Sequence, residues 1–278
     1  MIDLPPVILA GGLAALVAAV GMPHGGLDHK CGRAILWHRF RQRWWMVFLA
    51  AYLGVAGLVF AGWFLLPAAT VVLFFGISAW HFGDDSTGTQ PAKIVEGGMV
   101  IWLPLLFRPT EVAGLLTWVI PDGDPARVTA GVEMARPLLW AVAIFFVGRL
   151  PFEASADAAG RKIAFAILFA VLPTLASFTL YFCGWHSTRE LTGLAKQSDP
   201  TRPWRGLRRV LTAAAPMVAL AVAMIVIFAV LFAGDRKLEP VLVQAVFLGL
   251  SAVAVPHILL QEVVRRRGVN PFQPEFAK

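Results

Sequence analysis

Long apolar runs separated by short polar segments recur along the whole chain. Because the hydrocarbon core of a bilayer needs about 20 apolar residues per helical span, this pattern predicts transmembrane helices. The predicted spans lie near residues 5–22, 44–66, 68–83, 94–107, 111–120, 135–150, 161–187, 210–233 and 240–262. The fold class predicted is therefore all-α: a polytopic transmembrane helix bundle of about 7–9 membrane segments, forming a single integral membrane domain over residues 1–278.

The stretch 94–120 departs from this regular pattern. Pro104, Arg108 and Pro109 interrupt it, and its second half is too short to cross a bilayer. We interpret it as either a re-entrant hairpin or one broken helix.

Composition supports the membrane interpretation. Of the 278 residues, 58% are hydrophobic and 15% are charged, whereas soluble domains are about 25% charged. The net charge of +7 comes from basic residues in the short segments between apolar runs, which is typical of membrane orientation signals, so we expect no nucleic-acid partner. Cys31 and Cys183 show no CxxC or zinc spacing, and neither a disulfide framework nor a cysteine metal site is expected.

Lysine and arginine cluster in three segments, which are predicted to be the loop 28–43, the loop 189–209 and a tail that contains residues 265–267. By the positive-inside rule these segments are predicted to be cytoplasmic. We therefore expect a multi-pass protein of the cell inner (plasma) membrane, with its carboxyl terminus inside and its amino terminus outside. The segment 149–162 is an objection, because its basic residues would face outward, although Glu153 and Asp157 partly offset them.

Four histidines lie within or at the ends of apolar spans: His24, His81, His186 and His257. Ionisable residues at membrane depth are costly, so each is a candidate functional residue. The predicted topology brings all four to the cytoplasmic side. Because imidazole is a good ligand for iron, copper, nickel or zinc, four of them at one depth favour a transition-metal site. A single membrane histidine, by contrast, often only hydrogen-bonds to a neighbouring helix.

Each of these histidines has a polar side chain four residues later in the sequence. The four candidates are Asp28, Asp85, Glu190 and Gln261. An offset of four is about one helical turn, and a metal-bound imidazole commonly passes its second ring proton to such a group. The alternative is that polar residues simply crowd the ends of spans, and Gly25 and Gly26 leave helical continuation from His24 to Asp28 open.

The histidine contexts carry a resemblance to a known family. The segments PHGGLDH, WHFGDD, YFCGWHSTRE and VPHILLQE, in this order, resemble the Brp/Blh family of membrane-bound β-carotene 15,15′-dioxygenases. The resemblance implies a non-haem Fe(II) cofactor, molecular oxygen as cosubstrate, and cleavage of the central double bond of β-carotene, or of a related carotenoid, into two all-trans retinal. The choice of iron rests on this resemblance, because imidazoles accept several metals.

The resemblance implies that the four histidines are the metal ligands and catalytic residues: His24, His81, His186 and His257. It also implies that three acidic residues correspond to acidic positions of the family: Asp28, Asp85 and Glu190. A membrane-dissolved carotenoid also implies an apolar tunnel, and the chain has 20 Phe and 10 Trp but only 2 Tyr. The tunnel candidates beside the histidines are Trp80, Phe82, Tyr181, Phe182 and Trp185. The alternative for these aromatic residues is ordinary helix packing.

The sequence pattern differs from those expected for three other functions. A haem electron-transfer protein needs paired axial ligands, whereas these spans provide one histidine each at one depth. A metal-ion or proton transporter is expected to hold its site near the bilayer midplane between repeats, and no internal repeat is detectable. A di-iron desaturase or hydroxylase would show clustered HxxxH and HxxHH spacings, which the sequence lacks.

Overall fold

The computed structural model describes residues 6–83, 89–120, 123–153, 155–269 and 272. Every regular element in these ranges is helical, which confirms the all-α prediction. The α-helices are α1 (Pro6–Leu16), α2 (Asp28–Phe40), α3 (Trp44–Leu65), α4 (Pro67–Phe82), α5 (Gln90–Gly97), α6 (Met99–Phe107), α7 (Pro109–Val119), α8 (Pro125–Arg149), α9 (Ala156–Val171), α10 (Thr174–Thr179), α11 (Thr188–Ser198), α12 (Pro203–Ala233) and α13 (Leu238–Arg267).

Shorter segments of other helical types join these helices. Two are π-helical, Val17–Gly21 and Leu180–Ser187, and three are 3₁₀-helical, Met22–Leu27, Arg41–Arg43 and Leu150–Phe152. A 3₁₀ turn holds three residues and a π turn closes over one residue more than an α turn, so each segment changes the direction in which side chains point. Hydrophobic periodicity predicts none of them.

Four helical stretches within the described ranges are long and apolar enough to cross a membrane: Gly11–Leu65, Pro125–Phe152, Pro203–Leu231 and Leu238–Arg267. The pair α6 and α7 adds a fifth if it is one span, and it is bent by 117°. Both earlier interpretations of residues 94–120, a re-entrant hairpin or a broken helix, fit this bend. A transmembrane bundle is therefore supported, but the predicted count of 7–9 segments is not confirmed.

Three predicted boundaries are corrected by the structure. Residues 28–43, expected to be a loop, form the helix α2 and the 3₁₀ turn Arg41–Arg43. Residues 189–209, also expected to be a loop, contain most of α11 and the beginning of α12. The predicted span 161–187 is interrupted, because α9 ends at Val171 and Pro173 precedes the short helix α10. The residue before a proline avoids the helical conformation, and Leu172 accordingly has extended backbone angles (φ −90°, ψ 155°).

The chain packs as two compact units, the first containing residues 1–65 and 182–278 and the second residues 66–181. The expectation of one integral membrane domain stays a prediction. In the first unit, α3 packs against α2 and α13. The fully buried indole of Trp63 on α3 donates a hydrogen bond to Ser251 on α13 (2.8 Å), which satisfies a polar group that would be costly to bury alone.

The second unit contains a buried cluster of charged side chains. The ammonium of Lys162 on α9 lies 2.7 Å from Glu96 on α5 and 2.7 Å from Glu153, which follows α8. These three side chains are at most 12% exposed. Lys162, one of the basic residues behind the objection to the predicted orientation, thus has its charge matched within its own unit.

The start of α7 is tied to the end of α9 in the same unit. Arg108 donates hydrogen bonds to the carbonyl oxygens of Ala170 (3.3 Å) and Val171 (2.6 Å), and Glu111 accepts one from the amide of Thr174 (2.7 Å). The last carbonyls of a helix have no partners within that helix. Arg108, which had marked an interruption in the sequence, therefore caps a neighbouring helix.

Candidate metal centre

Three of the predicted histidines lie together in the first unit. His24 belongs to the 3₁₀ segment Met22–Leu27, His186 to the π-helical segment Leu180–Ser187, and His257 to α13. All three are buried. The ring centre of His24 is 5.4 Å from that of His186 and 5.3 Å from that of His257. Side chains distant in sequence thus meet at one place.

The two π-helical segments pack closely beside these histidines. The hydroxyl of Ser187 donates to the carbonyl of Gly21 (3.2 Å). A Cβ atom at Gly21 would lie 2.5 Å from the Phe182 ring, so glycine is required for this approach. The unusual backbone of both segments therefore serves to bring His24 and His186 together, as π turns often do at functional sites.

Asp28 links His257 on α13 to Tyr52 on α3. Its Oδ1 atom lies 2.8 Å from Nδ1 of His257, and its Oδ2 atom accepts a hydrogen bond from the hydroxyl of Tyr52 on α3 (2.9 Å). The expected offset of one helical turn from His24 does not describe this arrangement. Residues 22–27 form a 3₁₀ segment, in which side chains repeat every three residues rather than every 3.6.

The other predicted partner residues have separate placements. Glu190, half-buried on α11, is close enough to His257 for its charge to act on that imidazole. Gln261, half-buried on α13, lies beside the thiol of Cys31. Asp85 falls outside the described residues. Two carboxylates, Asp28 and Glu190, thus act on the same histidine.

His81 lies on α4 in the second unit, with its ring centre 5.7 Å from that of Phe82. The set of four histidine ligands therefore stays a prediction. Phe82 in turn contacts Tyr181 edge-on, with ring centres 5.8 Å apart. Phe165 and Phe169 on α9 pack around the same tyrosine at 5.1 and 5.9 Å. The second unit therefore contains an aromatic cluster that includes two of the predicted tunnel residues.

Phe182 is the tunnel candidate that lies among the histidines of the first unit. Its ring stacks on His186 with an interplanar angle of 17° and meets His24 edge-on, both with ring centres 5.9 Å apart. Trp80 and Trp185 are half-buried. These contacts are compatible with an apolar wall and with ordinary packing, and the tunnel stays a prediction.

The spacing of the imidazole rings indicates whether they could share a metal ion. Two imidazoles that share one ion at about 2.1 Å per nitrogen place their ring centres roughly 4.5–5.5 Å apart, which matches the observed spacings. Within the described ranges, however, no group of three or more His, Cys, Asp or Glu side chains is arranged closely enough to hold a metal as it stands. The two ring spacings measured from His24 therefore fit imidazoles that share a transition metal, whereas the three side chains do not form a closed coordination shell.

Comparison with known proteins decides the family. Residues 15–265 match the sequence profile described as Beta-carotene 15,15'-dioxygenase. The chain belongs to this dioxygenase family. This membership confirms the resemblance seen in the four histidine contexts.

Several curated members of the dioxygenase family are similar over most of the chain. The Beta-carotene 15,15'-dioxygenase of Uncultured marine bacterium 66A03 is 27% identical over 265 residues, covering 91% of this chain and 92% of that protein. The Probable beta-carotene 15,15'-dioxygenase Blh of Halobacterium salinarum is 27% identical, covering 80% and 74%. Brp of the same species is 26% identical, covering 70% and 61%. No solved structure matches.

The sequence analysis did not predict Tyr52 as part of the histidine site. Tyr52 lies inside a uniformly apolar run and is far in sequence from every histidine segment, yet its hydroxyl contacts Asp28. The available signal was compositional, because the chain contains only 2 tyrosines. A phenol within an apolar span needs a hydrogen-bond partner, which makes it a candidate for a polar site.

Proposed function

We propose that this protein cleaves the central double bond of β-carotene with O₂, yielding two all-trans retinal, at an Fe(II) ion held by His24, His81, His186 and His257. The observation that carries the proposal is the meeting of three buried imidazoles from separate elements, in a chain whose family is the β-carotene 15,15′-dioxygenases. Bound Fe(II) would supply the activation of O₂ that oxidation of an alkene requires.

The hydrogen bond between Asp28 and His257 supports the ligand role of this histidine. When Nδ1 carries the proton and donates to Asp28 Oδ1, the lone pair of Nε2 is left for a metal. The same contact fixes the orientation of the ring. The structural elements that bring Asp28 to α13 therefore also select the tautomer that an iron ligand needs.

Negative charge near the histidines would compensate for a buried cation. A divalent ion in a low-dielectric region is costly unless it is paired. Asp28 is 4% exposed and touches His257, and Glu190 acts on the same imidazole. As carboxylates, the two side chains would together offset the two positive charges of Fe(II) without being ligands.

The apolar side chains would keep water from the reacting atoms. Phe182 covers His24 and His186 on one side. We propose that Trp80, Phe82, Tyr181 and Trp185 contribute to an apolar path along which a carotenoid enters laterally from the lipid bilayer. A rigid hydrocarbon dissolved in the membrane reaches such a path without crossing water.

The proposed reaction balances without a further reductant. The C=C double bond of the substrate breaks, and each of its two carbons forms a C=O bond with one atom of the same O₂ molecule. The four electrons removed from the alkene carbons are those that reduce O₂. No cosubstrate other than O₂ is therefore needed.

We also propose that the protein lies in the cell inner membrane with its carboxyl terminus and metal site toward the cytoplasm. The basic clusters 28–43, 189–209 and 265–267 support this orientation. A reporter fused at the carboxyl terminus, active only on the cytoplasmic side, tests it. Activity of a periplasmic reporter at that position would contradict it.

Expression in a β-carotene-producing host, followed by extraction and chromatography, tests the activity. Loss of pigment with formation of all-trans retinal is expected, at two retinal per β-carotene consumed. Unchanged β-carotene in the presence of inserted, iron-loaded protein would overturn the proposal. A Soret band in the purified protein, or metal flux in proteoliposomes, would instead favour the haem or transporter alternative.

Single alanine substitutions test the ligand set. Each substitution is expected to abolish iron retention while leaving membrane insertion intact. The four variants are His24→Ala, His81→Ala, His186→Ala and His257→Ala. His38→Ala is the matched control, because His38 is exposed on α2. A variant that retains full iron removes its histidine from the site.

A further inference from the structure

The hydroxyl of Tyr52 lies between two groups that support His257. It is 2.9 Å from Oδ2 of Asp28 and 3.1 Å from the carbonyl oxygen of Val253. Val253 precedes His257 on α13 by four residues, and Pro256 lies between them. Tyr52 therefore contacts both the Asp28 side chain and the helical turn that carries His257.

The two oxygens of Asp28 face different donors. Oδ1 pairs with Nδ1 of His257 and Oδ2 with the phenol of Tyr52. Rotation of a carboxylate about its last torsion is nearly free, because that torsion is broad and two-fold. A donor on Oδ2 removes this freedom and keeps Oδ1 directed at the imidazole. Asp28 and His257 are buried and Tyr52 is half-buried.

We propose that Tyr52 is a positioning residue for the metal site, which it stabilises by holding Asp28 in the orientation that fixes the ring and tautomer of His257. This inference rests on the proposed iron site. It assigns to the apolar helix α3, which provides no ligand among the four histidines, a direct part in metal binding. Partners of this kind typically change metal affinity about 10- to 100-fold.

Tyr52→Phe tests the inference, because it removes the hydroxyl and keeps the ring. The purified protein is stripped of metal, and its affinity for Fe(II) is measured by anaerobic equilibrium dialysis. A decrease of about 10-fold is expected. The Co(II)-loaded variant is also expected to show a shifted ligand-field absorption spectrum, since the orientation of a ligand imidazole changes. Neither measurement requires turnover.

Trp63→Phe is the matched control for a purely structural role. Trp63 also lies on α3 and also donates a hydrogen bond to α13, at Ser251, but that bond does not involve Asp28. Trp63→Phe is expected to lower thermal stability in detergent and to leave the Fe(II) affinity and Co(II) spectrum unchanged. If both variants weaken metal binding equally, Tyr52 acts only through helix packing and the inference is wrong.

The outcomes separate this inference from the proposed function. If the unmodified protein binds Fe(II), His257→Ala abolishes binding and Tyr52→Phe binds as tightly as the unmodified protein with the same Co(II) spectrum, only the role of Tyr52 is overturned. If His257→Ala leaves Fe(II) binding unchanged, the proposed iron site is overturned, and this inference with it.

Discussion

Asp28 and His257 are joined by a 2.8 Å contact between Oδ1 and Nδ1, although 229 positions separate them in the sequence. Both side chains are buried, with 4% and 7% exposure. The pair connects α2 with α13. The geometry of the histidine site therefore depends on residues that are far apart in the sequence.

Replacement of the Asp28 carboxylate is expected to weaken metal binding without preventing membrane insertion. In Asp28→Asn the side chain keeps its size but loses its charge and one acceptor oxygen for the Nδ1–H of His257. Iron affinity should fall about 10- to 100-fold, as measured by equilibrium dialysis. Asp157→Asn, at an exposed site on α9, is the control, and equal loss in both variants would contradict a local effect.

Gly26 is expected to tolerate no side chain. A Cβ there would lie 2.6 Å from Cβ of Ala214 and 2.9 Å from its backbone Cα and oxygen, and backbone atoms of α12 cannot move aside cheaply. Gly26→Ala should lower the free energy of unfolding by about 1–3 kcal/mol and reduce iron retention, because His24 belongs to the same 3₁₀ segment.

Gly54→Ala provides the comparison for this prediction. No atom lies within 4 Å of a Cβ built at Gly54, so the change on α3 should be neutral or stabilising by up to about 1 kcal/mol. Thermal unfolding in detergent and metal analysis measure both variants. Full iron content and unchanged stability in Gly26→Ala would show that the segment can separate from α12 at no cost.

The Lys162 ion cluster is expected to be essential for the second unit. Lys162→Met would leave the carboxylates of Glu96 and Glu153 buried at 6% side-chain exposure without their shared cation. Losing one partner of such a buried cluster costs about 3–5 kcal/mol. Arg127→Met, which breaks an exposed pair with Asp124, should cost at most about 1 kcal/mol. Equal melting temperatures of the two variants would contradict the prediction.

Arg41 is expected to be a site where stability can be gained. Among the described non-glycine residues it alone has a positive φ, at 46°, with a ψ of −127°. Glycine adopts such angles without the strain of about 1–3 kcal/mol that a side chain brings. Arg41→Gly should therefore raise the unfolding temperature, whereas Arg43→Gly should lower it slightly. A decrease in both would show that the Arg41 side chain stabilises this turn.

The sequence predicted the helical class because apolar runs are a local signal. It also predicted that His24, His81, His186 and His257 come together. The structure places His24, His186 and His257 together, and the set of four stays a prediction. Apolar runs indicate membrane-spanning helices. Histidines within these runs are recognisable as candidate functional residues, because placing an ionisable side chain in the membrane costs free energy. The number of membrane spans could not be predicted from the sequence to the same extent. Where one helical type passes into another, as from Gly21 to Asp28, hydropathy does not change and the boundary is invisible.

The partner of Asp28 could not be predicted for a geometric reason. The offset of four residues from His24 assumes α-helical continuation, whereas a 3₁₀ segment rotates Asp28 to a different face. Tyr52 was missed because its contacts with Asp28 and Val253 depend on the packing of α3 against α2 and α13. Such long-range contacts leave no periodic trace in a single sequence.

The π-helical segment Leu180–Ser187 also restricts how this protein can vary in length. A π turn closes over one more residue than an α turn, so excision of one residue there would permit ordinary α-helical closure. One residue corresponds to about 100° of rotation about the helix axis. Every side chain before the deletion would therefore be rotated by about this angle relative to His186. Insertions and deletions that accumulate during divergence are therefore expected in connections such as residues 199–202 rather than in this segment.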